Sequence, residues 1–451
     1  MAHHAKTLES LEECVGWVLS GQREPGQFKI GTEYERLALG PDGKRLPYEG
    51  IASIRALLDG LTERHGWRPY LEAGRPIALF RDKASVSLEP AGQFELSGAP
   101  LQTVAEMKAE LEQNLREIRD VGEPLGIRLA HVGLDPLTKL SEVPHMPKGR
   151  YAIMRDIMPR VGTLGLHMMH LTCTVQTNLD FSSAAECAEM LRLGHLLSPA
   201  LIALFANSPL LEGKETGYAT FRAHLWTDVD KARCDVSQFA FRKDAGIEDY
   251  VQWALDVPMY FLDAPQPDGS HGYIRPDKPT TFRQFFEHGV NGRRPTLDDW
   301  ELHASTLFPD VRLKRYIELR QADIVPPHAL PALPALTKGL FYDPETRRKA
   351  LDLLRDGDDT IDRAALRDLA CKDALEGHGH GFHLRELAGQ VLELATQGLD
   401  RLATATGKDL DAGQALEPLR SIVAGHTPPF YAQVRSRLAT GHGLLALADG
   451  W

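Results

Sequence analysis

Four short runs of this sequence set polar or charged side chains on alternate residues, the spacing that places them on one face of an extended strand. In Ser85–Ser97, residues Gln93, Glu95 and Ser97 share one face while Phe94 and Leu96 share the other. Glu89 lies just before a Pro90–Gly92 break, expected to kink or bulge that strand and aim a second carboxylate at the same place. Phe28–Leu39 carries Glu33 and Glu35 on one face, Thr172–Phe181 carries Thr174, Gln176 and Asn178, and Arg315–Asp323 carries Glu318 and Arg320. Crowded carboxylates repel one another unless a cation lies between them. The lining therefore points to a hard divalent metal, with magnesium the usual choice, holding nucleotide phosphates beside an arginine that stabilises a transferred phosphoryl group. No Gly-x-x-x-x-Gly-Lys-Ser/Thr loop is present, so a nucleotide would be gripped through metal. The competing reading is four solvated strand faces.

Elements able to position these runs are legible around them. Helical spacing of apolar residues is expected over 7–20, with Thr7 as its cap, over 49–66, and over 101–126, where Val104, Met107, Leu111 and Leu115 form the apolar stripe. Strands are expected over 67–98, and helices over 151–158, 183–206 and 250–262, the last broken at Pro258. Arg222, His224 and Trp226 fall together in Phe221–Trp226, and the Pro/Gly-rich 264–280 reads as a surface excursion able to serve as a lid. This alternation implies an α+β fold, with a mainly antiparallel sheet covered by helices. Residues 1–335 are expected to form the catalytic unit and 336–451 a helical region packed on it. In that helical region His378, His380 and His383 sit in a glycine-rich gap, better read as a turn than as a metal site, because no acid or cysteine completes a ligand set.

Bulk composition narrows the function. With 51 basic and 62 acidic residues the net charge is −11, which argues against nucleic acid or an anionic membrane as the main partner. No uninterrupted apolar run long enough to span a bilayer stands out, and the first residues lack the apolar core of a signal peptide, so a cytoplasmic protein is expected. The five cysteines, Cys14, Cys173, Cys187, Cys234 and Cys371, are scattered without a Cys-x-x-Cys pair and read as buried thiols.

Beyond these patterns the chain resembles the plant-type glutamate–cysteine ligases, within the glutamine-synthetase-like carboxylate–amine ligases. The resemblance runs from about Gly31 to Asp343 and is carried by IGTEYE (Ile30–Glu35), LEPAGQFELSGAPL (Leu88–Leu101), MPKGRY (Met146–Tyr151), TCTVQTNLDFSS (Thr172–Ser183), ALFANSPLLEGK (Ala203–Lys214), AHLWTDVDKAR (Ala223–Arg233), ALDVPMYF (Ala254–Phe261) and FPDVRLKRYIELRQAD (Phe308–Asp323). It implies a curved antiparallel sheet and a reaction in which the glutamate γ-carboxylate takes a phosphoryl group from ATP and the acyl phosphate is attacked by the amine of cysteine. By motif, Glu33, Glu35, Glu89, Glu95, Gln176 and Glu318 would form the magnesium shell, Arg320 would stabilise the transition state, and Arg150 and Arg222 would clamp glutamate. The implied partners are small molecules only, in a monomer or homodimer.

One departure stands out. Where the family usually has an acid and, four residues on, an arginine, Gly165–Leu171 has His167 and Leu171, with His170 between them. Either a structural ion pair has been replaced or the acceptor pocket has changed, so a γ-glutamyl ligase using another amine stays open. The regulatory disulfides of the plant enzymes have no obvious cysteine pairs here. A two-metal hydrolase and an inactive relative that only binds a partner are the competing classes.

Overall fold

A computed structural model describes residues 6–264 and 272–448. The four polar-faced runs become neighbouring strands of one open sheet. Its nine strands are β1 (Ile30–Leu39), β2 (Arg68–Glu72), β3 (Arg75–Arg81), β4 (Ala84–Leu88), β5 (Gln93–Ser97), β6 (Arg128–Ala130), β7 (Val175–Leu179), β8 (Val311–Leu313) and β9 (Ile317–Leu319). They lie in the order β8-β9-β7-β1-β5-β4-β3-β2, with β6 also on β1, and every pairing is antiparallel. The sheet is therefore mainly antiparallel and helix-covered, as the alternation of elements implied. Register fixes the polar face: Glu35 lies opposite Glu95, Glu33 opposite Ser97 on one side and Gln176 on the other, and Asn178 opposite Glu318.

The other face is core. Tyr34, Phe94, Leu96, Val86, Leu88, Val175 and Ile317 are essentially inaccessible, and each large apolar side chain so buried stabilises the fold by about 1.5–3 kcal/mol. Behind β1 and β3 runs the helix Val104–Gly122, opened by a Thr103/Glu106 capping box. It accepts from a fully buried Arg36 at Asn114 (3.0 Å), and from Arg81 (2.8 Å) and Trp67 (2.9 Å) at Glu117. Behind β7 and β1 sits the helix Ala332–Phe341. The helix Ala184–Phe205 is long and apolar enough to cross a membrane by composition alone, unlike the sequence expectation, but it spends that surface inside the protein, with 83% of its apolar window buried.

Several expected elements shift. Pro90–Gly92 does not kink one strand; it reverses the chain, so β4 and β5 form a hairpin closed by Glu89 N–H to Gln93 O (3.0 Å), with Gly92 at φ +78°. The first helix spans Glu12–Leu19 without a side-chain cap, because Thr7 instead bridges Thr296. The helix expected over 250–262 ends at Leu255, ahead of Pro258. The His-rich gap is a small hairpin with the His378 and His383 rings 5.9 Å apart. Of the 264–280 excursion, read as a possible lid, residues 264 and 272–280 are described and 265–271 lie outside the described residues.

Helices of residues 332–438 pack on the sheet side and on one another. At the closest crossing, a Cβ on Gly398 would stand 1.9 Å from the Gly339 carbonyl oxygen, and one on Gly339 2.1 Å from that of Ala395. Only glycine lets Ala332–Phe341 and Leu384–Thr406 approach so closely. Gly398→Ala is expected to cost about 1–3 kcal/mol through overpacking. A lowered thermal midpoint with unchanged substrate Michaelis constants would show it.

Candidate active site

The polar face of the sheet floors a cavity of about 820 Å³, within the usual range for small-molecule sites. Glu33, Glu35, Glu89, Glu95 and Gln176 line it, as do Arg150 and Arg320. Three of the four carboxylates, Glu95, Glu35 and Glu33, are held by hydrogen bonds from neighbouring side chains and backbone. Ser97 and Ser87 donate to the two oxygens of Glu95 (2.5 and 3.2 Å). The Thr174 amide and the Gln176 amide group donate to Glu35 (2.9 and 3.4 Å), and Asn178 donates to Glu33 (3.0 Å).

Crowding shows in the proton affinities. Burial, then Glu318 and Glu95, raise Glu33 to about 7. Burial together with Glu89 and Glu95 lifts Glu35 well above the usual carboxylate range, and burial with Glu89 raises Glu95. Among the described residues no three His, Cys, Asp or Glu side chains are gathered into a finished ligand cage. Magnesium does not require one, because it is commonly held by one or two carboxylates with substrate phosphates and water completing the shell. Four mutually repelling carboxylates on one floor fit that donor chemistry.

Opposite them stand cations. Arg320 donates to Gln176 Oε1 (2.9 Å) and to Glu318 (2.5 Å), with the rings of Trp226 and Phe308 each 5.9 Å away. Gln176 thus joins Arg320 to Glu35. Glu318 does not line the cavity. It has no exposure and is enclosed by Arg312 (2.6 and 2.9 Å), Lys314 (3.3 Å) and Arg320. Burial opposes its ionisation, but these three cations hold Glu318 far below the usual carboxylate range. Glu318, expected in the metal shell, lies instead behind the floor, where its contacts hold Arg320, Arg312 and Lys314 in place, whereas Gln176, expected in the same shell, does line the cavity beside Glu35. Arg312 and Lys314 also line the cavity. Neither is among the residues expected from the sequence, although they alternate in Val311–Lys314, and register pairs Arg312 with Glu318.

Two further expectations change. Arg222 does not reach the cavity: it is fully buried and donates to the carbonyls of Gln321 (3.1 Å) and Arg320 (3.0 Å) beside Asp323 (3.6 Å). With both terminal nitrogens on backbone behind Arg320 and no opening to the cavity, this guanidinium is not placed to clamp a substrate carboxylate. His167, His170 and Leu171 do not line the cavity either; the short helix Gly165–Leu171 presents Met168 and Met169 to it, followed by Thr172. Leu171 is core, and His170 is buried, with Nδ1 against the Leu166 carbonyl (2.9 Å) and its ring 5.4 Å from that of His145. Successive helix residues are about 100° apart, so one short helix shows some side chains to the cavity and turns the others from it. Arg150 does line the cavity, beside the Tyr151 ring (5.4 Å).

The turn that carries Glu89 is pinned from below. Arg45 and Asp135, both inaccessible, pair at 3.1 Å, and Arg45 also donates to the Ala91 carbonyl (2.8 Å). Gln93 accepts from the Ala91 amide (3.0 Å) and donates to the Thr172 carbonyl (3.1 Å). Lys148 and Tyr151 both donate to the Leu88 carbonyl (2.7 and 2.6 Å).

Because Arg222 props the backbone of Arg320, Arg222→Met is expected to cost about 3–5 kcal/mol by leaving Asp323 buried without its cation, and to lower turnover more than it weakens glutamate. A stable variant with only a raised glutamate Michaelis constant would restore the clamp.

Comparison with known proteins gives this geometry a family. A family model described as glutamate-cysteine ligase family 2 (GCS2) matches residues 29–428. The chain is 43% identical to the chloroplastic glutamate–cysteine ligase B of Oryza sativa subsp. japonica over 394 residues, 86% of this chain and 77% of that protein. It is also 43% identical to the chloroplastic glutamate–cysteine ligase of Arabidopsis thaliana over 394 residues, 86% of this chain and 74% of that one. A glutamate–cysteine ligase from Francisella tularensis, solved in complex with AMP, shares the fold at a TM-score of 0.52 and 14% identity, covering 93% of this chain and 87% of that chain. The cytoplasmic placement expected from the first residues is overturned by the plant relatives, which are chloroplastic proteins. The match extends well past Asp343, so most of the helical C-terminal region is part of the shared unit along with the carboxylate-floored sheet. With that floor inside a match that runs from residue 29 to residue 428, the chain belongs to the glutamate-cysteine ligase family 2 (GCS2).

Proposed function

We propose that this chain joins the γ-carboxylate of glutamate to the amine of cysteine at the expense of ATP, through γ-glutamyl phosphate, giving γ-glutamylcysteine, the first step of glutathione synthesis. The observation that carries the reading is the cavity's polarity: a floor of Glu33, Glu35, Glu89 and Glu95 faces Arg320, Arg312 and Lys314 across the same sheet. Carboxylates suit a magnesium–phosphate complex, and fixed cations suit the charge that develops on a phosphoryl group in transit. Magnesium, when bound, would be held by carboxylates from Glu33, Glu35, Glu89 and Glu95 and would neutralise the phosphates. Arg320 is held by Gln176 and Glu318 before any substrate arrives, so its alignment costs nothing at the moment of transfer. Arg150 is the available guanidinium for a substrate carboxylate on the other side of the cavity.

Cysteine is favoured as acceptor over other amines by the placement of His167, His170 and Leu171. The side chains that depart from the family pattern turn away from the cavity, so the acceptor meets Met154, Met168, Met169 and Thr172 instead. The cysteines of the chain take no part. Cys173 lies in the core, and burial raises its thiol well above the ordinary range.

Two measurements test the proposal. Supplied with ATP, magnesium and glutamate, the protein should release ADP fastest with cysteine among cysteine, 2-aminobutyrate, glycine and histamine, each product identified by mass. Preference for an amine lacking a carboxylate would replace the acceptor, and ADP release without any amine would indicate a hydrolase. Arg320→Lys should lower turnover by about 10²–10³ while changing the glutamate Michaelis constant little. An effect confined to that constant would move Arg320 out of phosphoryl transfer.

A further inference from the structure

One wall of the cavity is built by residues that precede the segment matched by the family, which begins at residue 29. The helix Glu12–Leu19 packs Trp17 edge-on against Trp300 (6.5 Å). The chain then passes Ser20 and Gly21 along the cavity rim. A Cβ on Gly21 would lie 1.8 Å from the Arg315 carbonyl oxygen, so this segment is pressed directly on the β8–β9 turn. Arg23 continues the rim. Its amide donates to the Phe181 carbonyl (3.0 Å) and its Nε to Asp180 (3.2 Å), whose other oxygen accepts from the Lys29 amide (2.9 Å). The two terminal nitrogens of Arg23 take no partner among the described residues, and the side chain is 54% exposed.

The position of this wall relative to the chemistry follows from strand β7. Gln176 touches Arg320 and Glu35, Asn178 touches Glu33, and Asp180 touches Arg23. At about 3.3 Å per residue, Asp180 lies about 13 Å from Gln176. A triphosphate with its terminal group at Arg320 and extended along this line would bring its inner phosphate and nucleoside towards the rim. There Arg23, Lys29, Lys314 and Arg315 line the cavity with Asp180 as their nearby acid.

Resting on the ATP-dependent reading above, we infer that residues 12–27 form the outer wall of the nucleotide site, and that the Arg23 guanidinium binds the phosphate nearest the nucleoside. Gly21 allows the wall to seat against Arg315. The free face of Arg23 supplies the donor, as a partly exposed, charge-assisted contact that tunes affinity for nucleotide and takes no part in the transfer.

AMP, which carries only that phosphate, is the direct probe, titrated calorimetrically into the unaltered chain, Arg23→Ala, Arg23→Lys and Asp180→Asn. Arg23→Ala should weaken AMP about tenfold, the equivalent of 1.4 kcal/mol, and raise the ATP Michaelis constant similarly, with the glutamate constant unchanged. Arg23→Lys should recover most of the loss. Asp180→Asn leaves the guanidinium in place and should not weaken AMP. AMP affinity in Arg23→Ala equal to wild type overturns the inference while leaving the ligase reading intact. A loss in Asp180→Asn as large as in Arg23→Ala also overturns it, because Arg23 would then serve only to hold the rim. Failure of the unaltered protein both to bind AMP and to consume ATP would overturn the inference and the ligase reading together.

Discussion

Like charges across a strand pair govern the architecture of this protein. Antiparallel register sets Glu35 directly opposite Glu95, and Glu33 is two residues away on the same face. At about 5 Å and an effective dielectric near 20, one such carboxylate pair repels by about 3 kcal/mol. The fold tolerates this because serine, amide and backbone donors hold Glu95, Glu35 and Glu33, and because β8, β9 and the turn between them bring Arg312, Lys314 and Arg320 to the far side of the same sheet. The crowding shows as raised proton affinity at Glu33, Glu35 and Glu95, a demand for positive charge at the cavity floor that protons meet in part and bound metal ions can meet in their place.

Rigidity below the floor makes that arrangement possible. Arg36 and Asn114 tie β1 to its covering helix, and Arg45 with Asp135 fixes the turn behind Glu89. Arg222 and Asp323 brace the backbone of Arg320. Buried pairs of this kind contribute little net stability, but removing one partner is costly. Their effect here is to hold groups of like charge in positions they would otherwise leave. The same logic explains Glu318, a carboxylate whose place in the site is to gather cations.

The helical C-terminal region shares in this support. Ala332–Phe341 lies behind β1 and β7, and the glycine contact between Gly339 and Gly398 lets the helix Leu384–Thr406 press against it. The family match to residue 428 agrees with that packing, since a sheet with one polar face needs a continuous apolar cover on the other.

Alternation alone determined much. Glu33, Glu35, Glu95 and Gln176 were legible as one lining because a strand's two-residue period leaves no freedom about which face a side chain takes, and the apolar stripe of Val104, Met107, Leu111 and Leu115 marked its helix in the same local way. What local pattern does not encode is which strand lies beside which, and where a side chain ends once neighbours compete for it. Pro90–Gly92 fitted a kink as well as a reversal, and only the pairing of β4 with β5 made it a hairpin. Arg222 carried a family arginine's motif, yet tertiary packing spent its donors on the carbonyls behind Arg320. His167 and Leu171 stood out as departures, but the helix phase of Gly165–Leu171, set by its packing, turned them from the cavity and gave Met168 and Met169 the wall. The sequence thus determined the chemistry of the sheet face, and the three-dimensional arrangement decided which charged groups meet the ligand and which hold those that do.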